Sequence, residues 1–300
     1  MSEDTFDKKP LLGFYLPDIQ ISSGCFNSLE TLIGRRFEIV SVFWSWALGY
    51  ISTPFSEMEA ILQEGKRPLV TWEPWRLPDD FNFPEKSVED RSYSLEKIYQ
   101  GHYDAYLRFW AKNIKALQGK IYLRPMHEMN GNWYPWCGTT NRNRPEEYIR
   151  AWKHIVEVFA DEKTDNIEWV WGPYAFSVPN TWENRISYYF PGNDYVDWLA
   201  IDGYNWGDTR SWSNWTSWHE LFKPAYAALI DLSEKPLMVA EVGCAESGGS
   251  KAKWIADAFR TLREDFNRVE AVVWFNTRKE CDWRIDSSSD SLFAFKMALE

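Results

Sequence analysis

Eight short apolar runs, separated by amphipathic stretches, limit the fold of this chain more than any other feature. They are Leu11–Leu16, Ile39–Phe43, Pro68–Trp72, Ile121–Met126, Ile167–Trp171, Val196–Ile201, Leu237–Ala240 and Ala271–Phe275. Each has strand length and is nearly continuous in apolar residues, as expected for strands covered on both faces. Helical patterns fall between them at Phe55–Gln63, Tyr103–Leu117, Pro145–Phe159, His219–Leu232, Lys251–Arg263 and Leu292–Leu299. Gly65 and Gly119 follow two of these as stops, and Pro145 stands at a first-turn position with acids behind it. Strands alternating with helices over one uniform chain predict an α/β fold, a (β/α)8 TIM barrel forming a single domain over residues 1–300. The polar and aromatic stretch Arg76–Gln100 reads as a loop insertion after the third strand.

Composition narrows the partners. Nineteen tryptophans, fifteen tyrosines and eighteen phenylalanines exceed what a core requires, so part of the surplus is expected to line a cleft. A formal net charge of −11 argues against nucleic acid, whose phosphates need basic patches. No apolar run approaches the ~20 residues that span a membrane. The start, MSEDTFDKKP, is acidic and lacks the apolar centre of a signal peptide, leaving a secreted chain with its signal trimmed or a cytoplasmic one. The cysteines Cys25, Cys137, Cys244 and Cys281 form no CxxC pair and are read as free thiols. The sequon Asn214-Trp215-Thr216 matters only in a eukaryotic secretory route. A monomer without cofactor or metal is expected.

A barrel places its active site at the C-terminal strand ends and in the loops that follow. Those ends carry Trp44 and Trp46, Glu73 and Trp75, His127 and Glu128, Trp171 and Tyr174, Asp202 and Tyr204, Glu241, then Trp274 and Asn276. Acids and aromatics recur at almost every one. The stretch YLRPMHEMNGNWYPW, Tyr122–Trp136, delivers Glu128 at a strand's end beside an aromatic loop, and PLMVAEVG delivers Glu241. Two carboxylates flanking a bound sugar can cleave a glycosidic bond, and indoles hold sugar rings by stacking on their apolar faces. Cleavage with retention needs the carboxyls about 5–5.5 Å apart, one as nucleophile and one as acid and then base. The bland alternative makes each Glu half of a buried ion pair. HEMNG begins like the zinc motif HExxH but has Gly131 where the second His belongs, so metal catalysis is not expected. Arg124 either charges Glu241 or serves a structural pair. Trp169, Trp198 and Trp254 lie inside strand or helix patterns and are expected in the core. Trp72, Trp75 and Trp206 are expected to meet substrate. Trp212, Trp215 and Trp218 either form a rim or pack their loop.

RPMHEMNGNWYPW, with DGYN and VAEVG, resembles glycoside hydrolase family 26, and the resemblance runs from the first strand to WFNTRKECDWRID. It implies a clan of barrel glycosidases with the acid/base on the fourth strand and the nucleophile on the seventh. By that resemblance Glu128 is the acid/base and Glu241 the nucleophile. His127 contacts the sugar at the cleavage site, Tyr204 hydrogen-bonds the nucleophile, and Asp202 belongs to the same motif. Trp133, Trp136 and Trp274 form stacking walls, while Trp283 and Arg284 touch the sugar. The implied function is a retaining endo-β-glycosidase on β-1,4-mannan. Mixed-linkage β-1,3-1,4-glucan comes second and β-1,3-xylan third. A non-catalytic carbohydrate-binding barrel and a transglycosylation enzyme are the competing classes.

Overall fold

The computed structural model describes residues 9–17, 21–50, 52–76 and 90–300. Strands β1 (Leu11–Tyr15), β2 (Ile39–Ser45), β3 (Arg67–Glu73), β4 (Ile121–Pro125), β5 (Ile167–Trp171), β6 (Trp198–Asn205), β7 (Leu237–Cys244) and β8 (Val269–Phe275) close into one barrel in sequence order. Every neighbouring pair is parallel, including β1 with β8. The expected (β/α)8 barrel is therefore the fold.

Side chains alternate between two apolar layers because successive residues of a strand point to opposite faces. Ile39, Leu69, Tyr122, Val170, Trp198, Ala200, Met238 and Val273 fill the barrel interior. Val40, Val70, Leu123, Trp171, Leu199, Val239 and Val272 face the helices. The outer layer comprises α1 (Asn27–Ile33), α2 (Phe55–Gln63), α3 (Leu95–Tyr99), α4 (Asp104–Ala116), α5 (Pro145–Asp161), α6 (Trp218–Leu232), α7 (Lys251–Glu264) and α8 (Ser289–Leu299). In α5, Pro145 starts the helix, Glu147 accepts from the Arg144 backbone N–H at 2.9 Å, and Tyr148, Trp152, Ile155 and Phe159 supply the buried stripe. Among the described residues no helix is long and apolar enough to cross a membrane.

Three expectations change. Helix α1 carries no strong pattern, since only Leu29 and Ile33 are buried. Helix α3 occupies part of Arg76–Gln100, and residues 77–89 of that stretch lie outside the described residues. Strands β6 and β7 run to Asn205 and Cys244, so Tyr204 and Glu241 sit within strands.

Trp72 shows what the outer layer is made of. It was expected to meet substrate, yet it alternates outward and is fully buried, packed on Trp110 at 4.5 Å and Trp46 at 4.8 Å between ring centroids. Trp72→Ala should cost about 3–5 kcal/mol of unfolding free energy, the usual range for truncating a buried large aromatic. Chemical denaturation reads this directly, and a loss under 1 kcal/mol would mean that the layer tolerates the hole.

Candidate active site

Alternation inside the barrel carries polar residues upward from the apolar interior. Above Leu69 comes Thr71 and then Glu73; above Tyr122 comes Arg124; above Ala200 come Asp202 and then Tyr204. The seventh strand needs one correction to join them. Ile201 pairs with Val239, but Asp202 pairs with Glu241, so β7 holds one extra residue. That bulge turns Glu241 inward beside Asp202, the kind of re-aiming that bulges provide next to active sites.

Arg124 joins these strands. Its Nη1 donates to both Asp202 oxygens at 2.6 and 2.7 Å, and its Nη2 donates to Thr71 Oγ1 at 2.6 Å and to Glu241 Oε1. Burial works against the guanidinium charge, but Asp202 and Glu241 outweigh it, and the arginine is held more firmly protonated than usual. Tyr204 donates its hydroxyl to the other Glu241 oxygen at 2.6 Å. Both expected roles of Arg124 are thus present in one contact set, as partner of Glu241 and as structural pair with Asp202.

Glu128 is placed by strained backbone. Beyond Pro125, Met126 and Glu128 take left-handed conformations at φ 50° and 53°. Such geometry is costly for residues with a Cβ and collects at functional sites. The Glu128 N–H is tied to Gly172 O at 2.8 Å, and the Trp133 indole donates to its Oε2 at 2.7 Å. Gly131 permits this, because a Cβ there would meet the Trp133 ring at 2.5 Å. Burial raises the Glu128 carboxyl well above its ordinary 4.5, with the charges of Asp202 and Glu241 adding to it. Burial therefore favours the protonated form of Glu128.

His127 is buried, with Nε2 3.9 Å from Glu241 Oε1, and neither ring nitrogen has a hydrogen-bond partner among the described residues. Burial, then the Arg124 charge, lowers its pKa well below 6.5, so the ring is neutral. His127, Glu128 and Asp202 bring ligand atoms within 4.8 Å of one another, as a metal site would. A cation there would have to displace the Arg124 guanidinium from both Asp202 oxygens.

The cleft above these groups is lined by Glu128, Glu241, Tyr204, Trp206 and Trp283, as the sequence led us to expect, and also by Phe43, Tyr134, Phe275, Lys279 and Glu280. Other residues expected at the sugar are elsewhere. Trp274 alternates outward, packs on Phe295 at 5.5 Å, and donates to Trp283 O at 2.7 Å. Trp136 is 1% exposed, stacked on Tyr134 at 4.5 Å, with its indole bonded to His127 O at 2.6 Å. Trp75 packs edge-on against both rings behind the cleft. Trp133 is buried and turned toward Glu128. Asp202 is sealed beneath Arg124. Arg284 is engaged by Asp282 at 2.7 Å and does not line the cleft. The missed Phe43 and Phe275 were visible in the two-residue alternation; Lys279 and Glu280 lie in a loop with no periodic signal. Wider hollows of about 210 and 350 Å3 open at the barrel's N-terminal end, without a facing carboxyl pair.

Comparison with known proteins adds to this geometry. A family model described as glycosyl hydrolase family 26 matches residues 46–249. Endoglucanase H of Acetivibrio thermocellus is 39% identical over 289 residues, covering 93% of this chain and 29% of that protein. The mannan endo-1,4-beta-mannosidase A and B of Caldalkalibacillus mannanilyticus is 33% identical over 164 residues, covering 53% of this chain and 28% of that protein. The chain spans less than a third of either relative's length. The catalytic domain of a Bacillus sp. JAMB-750 GH26 endo-beta-1,4-mannanase superposes with a TM-score of 0.70 at 17% identity, covering 98% of this chain and 86% of that one. This last likeness concerns the fold.

Glu73 yields a test of the site's electrostatics. It is 7% exposed at the end of β3 and accepts from the Trp75 indole at 3.2 Å. Burial raises its carboxyl from 4.5 to about 7; the Trp75 bond opposes this and the Glu241 charge reinforces it. The folded state then keeps a proton that the unfolded chain releases above pH 4.5. The associated stability is complete below that value and is lost as pH rises through about 7, to a total of about 3 kcal/mol. Glu73→Gln should therefore gain stability relative to the parent chain as pH rises from 4.5 to 8. Urea denaturation across that range reads the difference, and a constant offset would disprove the shift.

Proposed function

The chain belongs to glycosyl hydrolase family 26, and from that premise we propose that it is a retaining endo-β-glycosidase whose catalytic barrel domain carries Glu128 as acid/base and Glu241 as nucleophile. The observation that carries the reading is the opposite treatment of two carboxyls in one cleft. Burial favours the protonated form of Glu128, while Glu241 accepts from a guanidinium and a phenol. A carboxyl whose surroundings favour its proton suits the general acid, and one that accepts from two donors suits its partner.

The reaction follows from those states. With a polysaccharide in the cleft, the Glu128 proton passes to the glycosidic oxygen as that bond breaks. Glu241 attacks the anomeric carbon and becomes an ester, and the shortened chain leaves with the proton. Esterification removes the Glu241 charge, whose repulsion helps to raise Glu128. The Glu128 carboxyl becomes more acidic at the moment when it must act as base. It then takes a proton from water, and that water attacks the ester and restores Glu241. Trp133 holds only one Glu128 oxygen, which leaves the other for the transferred proton. Neutral His127, whose ring nitrogens have no partner among the described residues, suits a sugar hydroxyl in this cleft.

Substrate is the finer question. The family resemblance favours a β-1,4-mannan backbone. One specific observation favours a second reading, a β-glucan of the mixed-linkage kind: the relative similar over 93% of the chain is an endoglucanase, whereas similarity to the mannosidase covers 53%. We place the β-glucan ahead of mannan on that ground. Release of reducing ends from lichenan, glucomannan, mannan, β-1,3-xylan and carboxymethyl cellulose decides it. Lichenan should be cut fastest, and turnover confined to mannan would restore the first order.

Roles are separable by rescue. Glu241→Ala should abolish turnover on every substrate. Glu128→Ala should lose about 10^2–10^4-fold on polysaccharide, yet still glycosylate with an aryl leaving group that needs no proton. Azide should then rescue the second step and give a β-glycosyl azide, identified by NMR. A β-azide from the Glu241 variant, with none from Glu128, would exchange the two roles.

A further inference from the structure

The three tryptophans of the loop between β6 and α6 have separate fates. Trp218 is buried against Phe222 at 4.5 Å and Trp254 at 5.3 Å, and so packs α6. Trp215 covers Gly249, where a Cβ would meet its ring at 2.4 Å, and so packs the loop. Trp212 does neither. It is 49% exposed, and among the described residues its one ring–ring contact is with Trp206, at 5.3 Å and 62°. Trp206 in turn lines the cleft with Glu128 and Glu241, so an aromatic run passes from the nucleophile's neighbour Tyr204 through Trp206 to solvent.

This exposed indole stands on a braced loop. Asn205 Oδ1 accepts from the N–H groups of Gly207 at 3.2 Å and Thr216 at 3.0 Å, pinning both ends. Ser213 donates to Gly207 O at 2.7 Å, and the Arg210 guanidinium, which donates to Glu280 O at 3.3 Å, lies over the Trp206 ring. The flat ring is fixed beside the cleft before any ligand arrives, so little ordering entropy is lost when a pyranose stacks on it.

We propose that Trp212 is the platform of an outer subsite, which holds a sugar unit of the polysaccharide away from the scissile bond by its apolar face. The inference rests on the glycosidase reading and continues the cleft that Trp206 lines. The occupant is a neutral β-linked sugar, since the indole offers an apolar face and no charge.

The test compares a long with a short substrate on the full chain. Trp212→Ala should lower kcat/KM about tenfold on whichever of lichenan or glucomannan the parent cuts faster. With the matching 2,4-dinitrophenyl β-disaccharide, which cannot extend to the outer site, the change should stay within about twofold. Trp212→Tyr should recover most of the loss, and the melting temperature of both variants should match the parent. Unchanged polymer turnover, or equal losses on both substrates, would overturn the platform. If the parent chain turns over neither substrate, the glycosidase reading fails separately. The platform is then judged by calorimetric titration with a gluco- or manno-hexasaccharide, where equal affinity of parent and Trp212→Ala, or binding by neither, overturns it.

Discussion

One buried guanidinium organises the mouth of this barrel. Arg124 reaches from β4 to Thr71 on β3, Asp202 on β6 and Glu241 on β7, and it is wholly buried. Around it stand four buried carboxyls, Glu73, Glu128, Asp202 and Glu241. One cation cannot compensate four anions in a medium of low polarity. Burial raises the carboxyls of Glu73, Glu128 and Asp202 even so, and Arg124 opposes that rise by charge and by hydrogen bonds at Asp202, which it touches. The raised carboxyl of Glu128, beside a Glu241 that accepts from a guanidinium and a phenol, is therefore a result of placement. Buried ion pairs of this kind add little net stability compared with apolar packing, so the cluster is better understood as preorganised polarity for chemistry.

The tryptophan surplus has a related explanation. Stacking is expected of these rings, but several also act as hydrogen-bond donors that position other groups. Trp133 holds Glu128, Trp75 holds Glu73, Trp136 holds the His127 carbonyl, and Trp274 holds the Trp283 carbonyl. An indole suits this work, because it fills space as a large apolar body and offers one fixed N–H. The acid/base loop is locked by such bonds and by Asn130, which bridges to the β5 loop through Tyr174 N and O. Rigid placement of Glu128 in a left-handed conformation depends on this over-determination.

Much of this was legible in the chain, and the limits have physical causes. The strand count and order followed from apolar runs, and β5 and α2 match their expected bounds, since burial on both faces writes a strong pattern. Strand ends were less clear: β6 and β7 continue into DGYN and EVGC, where the interior turns polar and the apolar signal stops. The direction of each side chain was available from alternation. In VEAVVWF, Ala271, Val273 and Phe275 point inward, which places Phe275 at the cleft and Trp274 among the helices. The bulge in β7 breaks that rule at Glu241, and nothing in PLMVAEVG announces it. Trp136 was misread because a loop has no period from which to infer burial.

Function and folding are divided along the barrel axis. At the N-terminal end the interior is closed by Tyr122 and Trp198, edge to face at 5.4 Å, with Glu168 accepting from Trp198 at 2.7 Å and from Arg67 at 3.2 Å. This plug and the Leu69–Met238 layer above it bury apolar area, which is what pays for ordering the chain. The next inward residue of β3, β4 and β6 is polar, and the change falls within one alternation step on each: Leu69 to Thr71, Tyr122 to Arg124, Ala200 to Asp202. Leu69 pairs with Tyr122 and Thr71 with Arg124, so β3 and β4 make the step in register, and the Arg124 guanidinium reaches across to Asp202 on β6. A polar residue introduced one step lower would find only apolar partners. The chemistry is therefore confined to the upper levels, where the β6 loop can extend it outward toward solvent.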